Sequence, residues 1–260
     1  LTISTTLSEY SVPSWTLVLH CAWLVLVAYL ASTGTRKDEF AQACEGDTFV
    51  MRDNFTWVDE DEHDLPSTPE VVASRKNGDY LKGRSAPSKC DRLNVEWGAR
   101  DQWFRYDDSS RLNFAYQWQQ WELRCPCPLE QRKAWPAFSP SGNSIPFSTS
   151  KAASLFHTLL VCAIGAADAA HRTIHSFRTT IASALGAARA KGRVDIIDSV
   201  IQGIVRWKSV DSLKMYEHMP KAQFADYVHI ATTTDGGPMG REDMPTIGPA
   251  DTVDALMQSI

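Results

Sequence analysis

Cysteine is sparse and unpatterned in this chain. Its six residues, Cys21, Cys44, Cys90, Cys125, Cys127 and Cys162, show no framework spacing, and several stand inside apolar runs where a thiol packs as a small hydrophobe. That argues against a disulfide-stapled domain and for a reducing compartment. Cys125-Pro126-Cys127 has no second Cys or His pair at zinc-finger spacing, so no structural zinc is expected there. An excess of positive charge is missing too: 26 Lys and Arg stand against 31 Asp and Glu, a formal net charge of −5, which speaks against a simple polyanion binder. There is no internal repeat. The glycine cluster at Gly236, Gly237 and Gly240 lacks the following helix pattern that a phosphate loop needs.

Long hydrophobic runs are nearly absent, the exception being WTLVLHCAWLVLVAYLAS from Trp15 to Ser32. It carries no charge, yet it contains His20, has no basic flank before Arg36, and is short for a comfortable span. A fully buried core helix is the expectation, with a membrane-anchored domain as the minority alternative. Asn54-Phe55-Thr56 is a glycosylation sequon, which matters only in a secreted chain. The first residue is Leu, so a fragment or processed piece is expected.

What is present describes an ordinary globular protein: 260 residues, 43% hydrophobic and 22% charged, enough for one large domain or two small ones. The charge is unevenly laid out. From Arg36 to Asp64 there are three basic and ten acidic residues, whereas from His171 to Lys221 there are nine basic and four acidic. The local field, not the total, steers a phosphate ligand.

Gly34 should end the buried helix, with Thr35 capping a new one whose first turn holds Asp38 and Glu39, well placed for the helix dipole. From Asp47 to about Tyr106, short aromatic and β-branched runs between turn residues predict a small antiparallel sheet. Asn77-Gly78 stands at a hairpin turn, and RLNVEWG and QWFRYD read as strands. Residues 111–123 return to helical spacing, and the Pro-, Ser- and Gly-rich stretch from Cys125 to Ser148 reads as a loop. Helices follow from about Ser150, from the TIHSFRTTIASALGAA stretch, and from Val194 to Trp207. In the last, Ile196, Ile197, Val200, Ile201, Ile204 and Val205 should share a buried face. A short helix carries Tyr216, with Ser209 or Asp211 as its cap. After Tyr227 the composition is that of a flexible extension. The fold class expected is mostly α with a small antiparallel β-sheet, α+β.

A metal-free transesterification at a phosphodiester needs a nucleophile able to form a covalent ester, cations for the pentacoordinate transition state, and an acid for the leaving oxygen. Arginine suits the second task through its planar, permanently charged fork. TGTRKDEF, then His175-Ser176-Phe177-Arg178, then Arg206-Trp207 with Tyr216 nine residues after the tryptophan, resembles the catalytic domain of the tyrosine recombinases, the phage-integrase type. The flavour is that of integrase domains carried by eukaryotic tyrosine-recombinase retroelements. Arg36 matches the family's first arginine with Glu39 as its companion acid, and His175 and Arg178 match the H-x-x-R box. Trp207 matches the His/Trp position and Tyr216 the nucleophile. Lys89 is the best match for the hairpin lysine, with Lys76, Lys82 and Arg84 as alternatives on the same hairpin.

The resemblance covers about residues 15–230 and implies residues 1–230 as the catalytic domain, with 231–260 a flexible C-terminal tail. The helical domain that usually precedes it has no counterpart here, and the stretch from Arg178 to Trp207 is a few residues longer than the family norm. The resemblance implies a site-specific recombinase or integrase acting on double-stranded DNA through a 3′-phosphotyrosyl intermediate. It calls for no cofactor, no metal and no ATP, and for a tetrameric synapse on two duplexes. The expected location is intracellular, nuclear in a eukaryote and otherwise cytoplasmic, with no membrane partner. The competing reading is a catalytically inactive, decayed DNA-binding module of the same fold.

Overall fold

The computed structural model describes residues 15–86, 101–206 and 220–234. Helix α1 (Leu17–Thr33) begins where the Thr16 hydroxyl accepts the Leu19 N–H at 3.1 Å, a cap worth about 1 kcal/mol. From Ala22 to Leu30 nearly every side chain of α1 is buried. The run that resembled a membrane segment is therefore the central core helix, hydrophobic all round because protein surrounds it. Its polar last turn is satisfied internally: Ser32 donates to the Ala28 carbonyl at 2.8 Å and Thr33 to that of Tyr29 at 2.7 Å. Among the described residues no helix is long and apolar enough to cross a membrane.

Gly34 closes α1 in the left-handed conformation, φ +58°, and the short α2 (Lys37–Phe40) follows. Its N-cap is Arg36 rather than Thr35, because the Thr35 hydroxyl is engaged by that of Thr33 at 2.7 Å. Three antiparallel strands come next: β1 (Phe55–Val58), β2 (Tyr80–Arg84) and β3 (Asp101–Arg105), with β2 in the centre. Phe55 faces Gly83 on β2, and Leu81 faces Phe104 on β3. A Cβ on Gly83 would lie 2.8 Å from the Phe55 ring and 3.0 Å from that of Phe104, so the glycine makes room for two aromatic rings.

Asn77-Gly78 is a turn, with Gly78 at φ +100°, but it joins helix α3 (Pro69–Ala73) to β2 rather than two strands. The strand read at RLNVEWG lies outside the described residues. Helix α4 (Phe114–Arg124), capped by Asn113 on the Tyr116 N–H at 2.9 Å, packs against α1. Its Phe114 and Trp118 join Phe55, Tyr29 and Phe138 in an aromatic cluster with ring centroids 4.5–6.3 Å apart. The proline-rich loop is held to the sheet by Arg132. Its guanidinium meets Glu122 at 2.5 Å and donates to the Arg52 and Phe55 carbonyls at 2.9 and 3.0 Å.

The C-terminal half is helical: α5 (Thr149–Ile164), α6 (Ala166–Ala169), α7 (Ser176–Ala190), α8 (Asp198–Ile204) and α9 (Lys221–Thr233). Helix α7 packs on α1, and α9 packs on β3, α7 and α1. Of the apolar set read at 196–205, Ile197 is the exception. It is 47% exposed because α8 starts only at Asp198 and Ile197 is its N-cap, while Ile196, Val200, Ile201, Ile204 and Val205 are buried. The supposed extension after Tyr227 is likewise corrected. Tyr227, Val228, Ile230 and Ala231 are buried and α9 runs on to Thr233, since two turns of apolar spacing outweigh the threonines that follow. The protein is thus mostly helical with a small antiparallel sheet.

Candidate active site

Two parts of the chain that are distant in sequence meet at the corner between α1 and α2. A Cβ on Gly34 would stand 3.2 Å from the Cα and Cγ of Arg178 and from the Cδ1 of Ile181. The backbone of the corner therefore lies directly against the first turns of α7, so closely that a Cβ there would require its neighbours to give by a few tenths of an ångström. The sequence marked Gly34 as a helix breaker; its second role as a contact surface is visible only in three dimensions.

Arg36 leads out of this corner. Its N–H approaches Glu39 Oε2 at 3.4 Å, while the Glu39 carboxylate is buried and forms an ion pair with the Arg206 guanidinium. Arg206 in turn accepts, through its backbone carbonyl, a hydrogen bond from Arg178 Nη2 at 2.8 Å. A chain of contacts thus runs from Arg36 through Glu39 and Arg206 to Arg178. Arg206 sits at φ +54°, a conformation costly for a side-chain-bearing residue, and the ion pair and the carbonyl contact hold it there. Arg206 was quoted in the sequence only as the neighbour of Trp207. The signal that finds it is the buried acid Glu39, which requires a cationic partner.

His175 caps the N-terminal end of α7, exposed at the surface. Partial desolvation, then the positive charges of Arg178 and Arg36, hold its imidazole below the ordinary value. That depression favours the neutral imidazole, the form able to accept a proton. Arg178, one turn later, is only 2% exposed. Arg36 and His175 line a pocket of about 370 Å³ together with Lys37, Asp38, His157 and Arg172, and Arg178 lies buried outside that lining. Three permanent cations against one carboxylate make the pocket attractive to anions, and the end of α7 adds the partial positive charge of a helix N-terminus.

Of the six residues read from the sequence, Arg36, His175 and Arg178 are brought together, while Lys89, Trp207 and Tyr216 lie outside the described residues. Of the alternatives to Lys89, Lys82 pairs with Asp64 and Arg84 with Asp101 at 2.9 Å, while the Lys76 side chain is exposed. Tyr29 lies near the Glu39–Arg206 pair, but it is fully buried and burial pushes its phenol up to about 12. It has no access to a substrate.

The stretch between Arg178 and Arg206 is held at the surface. Gly192, at φ +109°, turns the chain after α7. Arg193 then bonds Asp195 at 2.8 Å and Asp226 on α9 at 2.7 Å, and Arg189 bonds Asp198 at 2.5 Å. Beyond it, Arg206 stays in contact with Arg178. The acidic run at 59–64 is also engaged locally, Asp64 by Lys82 and Glu62 by Lys221 at 3.2 Å. Comparison of the chain with models of protein families, with curated proteins and with solved structures finds no match.

Proposed function

We propose that this chain is a DNA breaking-and-joining enzyme of the tyrosine recombinase type. The reading rests on one observation above the others: Arg36 and His175, 139 positions apart by their numbering, share one cation-rich pocket, with Arg178 directly behind. In this proposal Tyr216 Oη attacks the scissile phosphorus. The new Tyr–O–P bond forms as the P–O5′ bond breaks, leaving a 3′-phosphotyrosyl ester and a 5′-hydroxyl. The phenolic proton passes to His175, whose lowered basicity keeps it unprotonated and ready at neutral pH. Arg36 and Arg178 balance the charge on the non-bridging oxygens, Trp207 donates its indole N–H, and Lys89 gives the proton to the departing 5′ oxygen. The ester conserves the bond energy, so rejoining by the 5′-hydroxyl of a second strand needs no ATP. Double-stranded DNA and further copies of the chain in a synapse are the partners this proposal requires, and it places the protein where DNA is, inside the cell.

The burial of Arg178, with its guanidinium held by the Arg206 carbonyl, favours a second reading: a DNA-binding module of the same ancestry that no longer cuts. One experiment separates the two. A nicked suicide duplex that loses the short 5′ product should trap a covalent protein–DNA adduct, and Tyr216→Phe should abolish it. DNA retention with no adduct from the unaltered chain would refute the enzyme and leave the module.

A further inference from the structure

The pocket holds more than catalysis at one phosphate requires. Its cations come from two places beyond the matched residues: Lys37 at the start of α2 and Arg172 in the turn before α7. Among the described residues neither side chain has an ion-pair partner, and Arg172 is exposed. Between them α5 presents Ala153, Phe156 and His157, spaced so that they share one helical face, and Ile174 completes the floor. Phe156 and Ile174 are buried, while His157 stands exposed beside the cations. Asp38 is the single opposing carboxylate in the lining.

Size decides between a lone phosphate and something larger. About 370 Å³ falls within the range that holds whole small ligands, roughly 300–1,000 Å³, and exceeds one water-sized site of about 30 Å³ more than tenfold. An apolar floor under a cationic rim matches a sugar-phosphate unit: a deoxyribose face is apolar enough for Phe156 and Ile174, and its phosphate requires charge from the rim. Resting on the DNA-joining reading, we infer that this pocket seats a second DNA backbone phosphate beyond the scissile one. Arg172 and Lys37 contact that phosphate, and its deoxyribose lies on the Ala153–Phe156–Ile174 floor.

Phosphate contacts release condensed counterions, so each one steepens the dependence of log Kobs on log salt by about 0.9. The test measures binding of the Tyr216→Phe chain to a mixed-sequence DNA duplex over a salt series, then repeats it with Arg172→Ala, Arg172→Lys and Lys37→Ala added. The inference expects Arg172→Ala and Lys37→Ala each to flatten the slope by about 0.9, and Arg172→Lys to restore it. Thermal unfolding of Arg172→Ala should match the parent, because the side chain is exposed. Unchanged slopes in both alanine variants overturn the inference, as does a parent that shows no salt-dependent binding. The adduct assay reports independently: an adduct with unchanged slopes removes the second phosphate alone, and flattened slopes without an adduct remove the enzyme alone.

Discussion

Replacing Arg206 by methionine tests whether the Glu39–Arg206 pair holds the site together. Methionine keeps much of the length and packing of the side chain and is as strained at φ +54° as arginine, so the backbone cost is nearly the same before and after. What changes is the carboxylate. Glu39 is 2% exposed, its Oε1 has no hydrogen-bond partner among the described residues, and the other contact of Oε2 is the Arg36 N–H at 3.4 Å. The substitution therefore strands a buried charge, which costs about 3–5 kcal/mol. At about 2–4 °C per kcal/mol for a chain near this size, the midpoint of thermal unfolding should fall by roughly 6–20 °C. Glu39→Gln alone should also destabilise, because it removes the carboxylate that the Arg206 guanidinium pairs with. The double variant, with neither charge, should be less destabilised than the sum of the singles by at least about 2 kcal/mol. Differential scanning calorimetry on the four proteins completes the cycle. Additive losses, or a loss of less than about 1 kcal/mol in Arg206→Met, would show that the pair behaves like an exposed one and would refute the reasoning.

Gly34→Ala should cost about 1–2 kcal/mol from its positive φ alone, with a further loss because the new methyl meets Arg178 and Ile181 at 3.2 Å. A chemical denaturation midpoint equal to that of the parent would contradict the close approach of the corner to α7. The His175 imidazole, followed by NMR, should titrate below the ordinary value of about 6.5, and Arg36→Gln should raise it by removing one of the two cations that depress it. Because desolvation is the larger cause, that rise should be partial; a full return to the ordinary value would reassign the effect to charge. The same depression fixes the sign of the linkage. The unfolded chain binds this proton more readily, so the contribution of His175 to stability is complete above the unfolded imidazole pKa and is lost as pH falls through it towards the lower folded value. A His175→Asn variant should show a correspondingly smaller loss on acidification.

The helix of 17–33 could be read from an uncharged run too short and too poorly flanked for a membrane, and its end from Gly34, because both depend on local chemistry. The H-x-x-R spacing of His175 and Arg178 was legible for the same reason: residues three apart on a helix are neighbours wherever the helix packs. Ile197 was misplaced since a helix start shifted by a few residues changes which side faces the core. The extension of α9 through Tyr227 to Thr233 was missed because the threonine run that follows masks the apolar spacing of Phe224, Tyr227, Val228 and Ala231, the face that packs on β3, α7 and α1.

The sequence by itself determined the residue types that meet at the candidate site and their order along the chain. It also set the basic charge of residues 171–221 against the acidic run before it, since charge and spacing are properties of the covalent chain. Only the tertiary structure decided that Gly34 lies against Arg178, that Arg206 answers Glu39, and that Arg172 and Lys37 face Arg36 and His175 across one pocket. Gly34 and Arg178 are 144 positions apart, Glu39 and Arg206 167, and Arg36 and Arg172 136, and nothing short of a packed core brings such distant groups to one place, because the entropy of closing each loop is offset only when all of them close together.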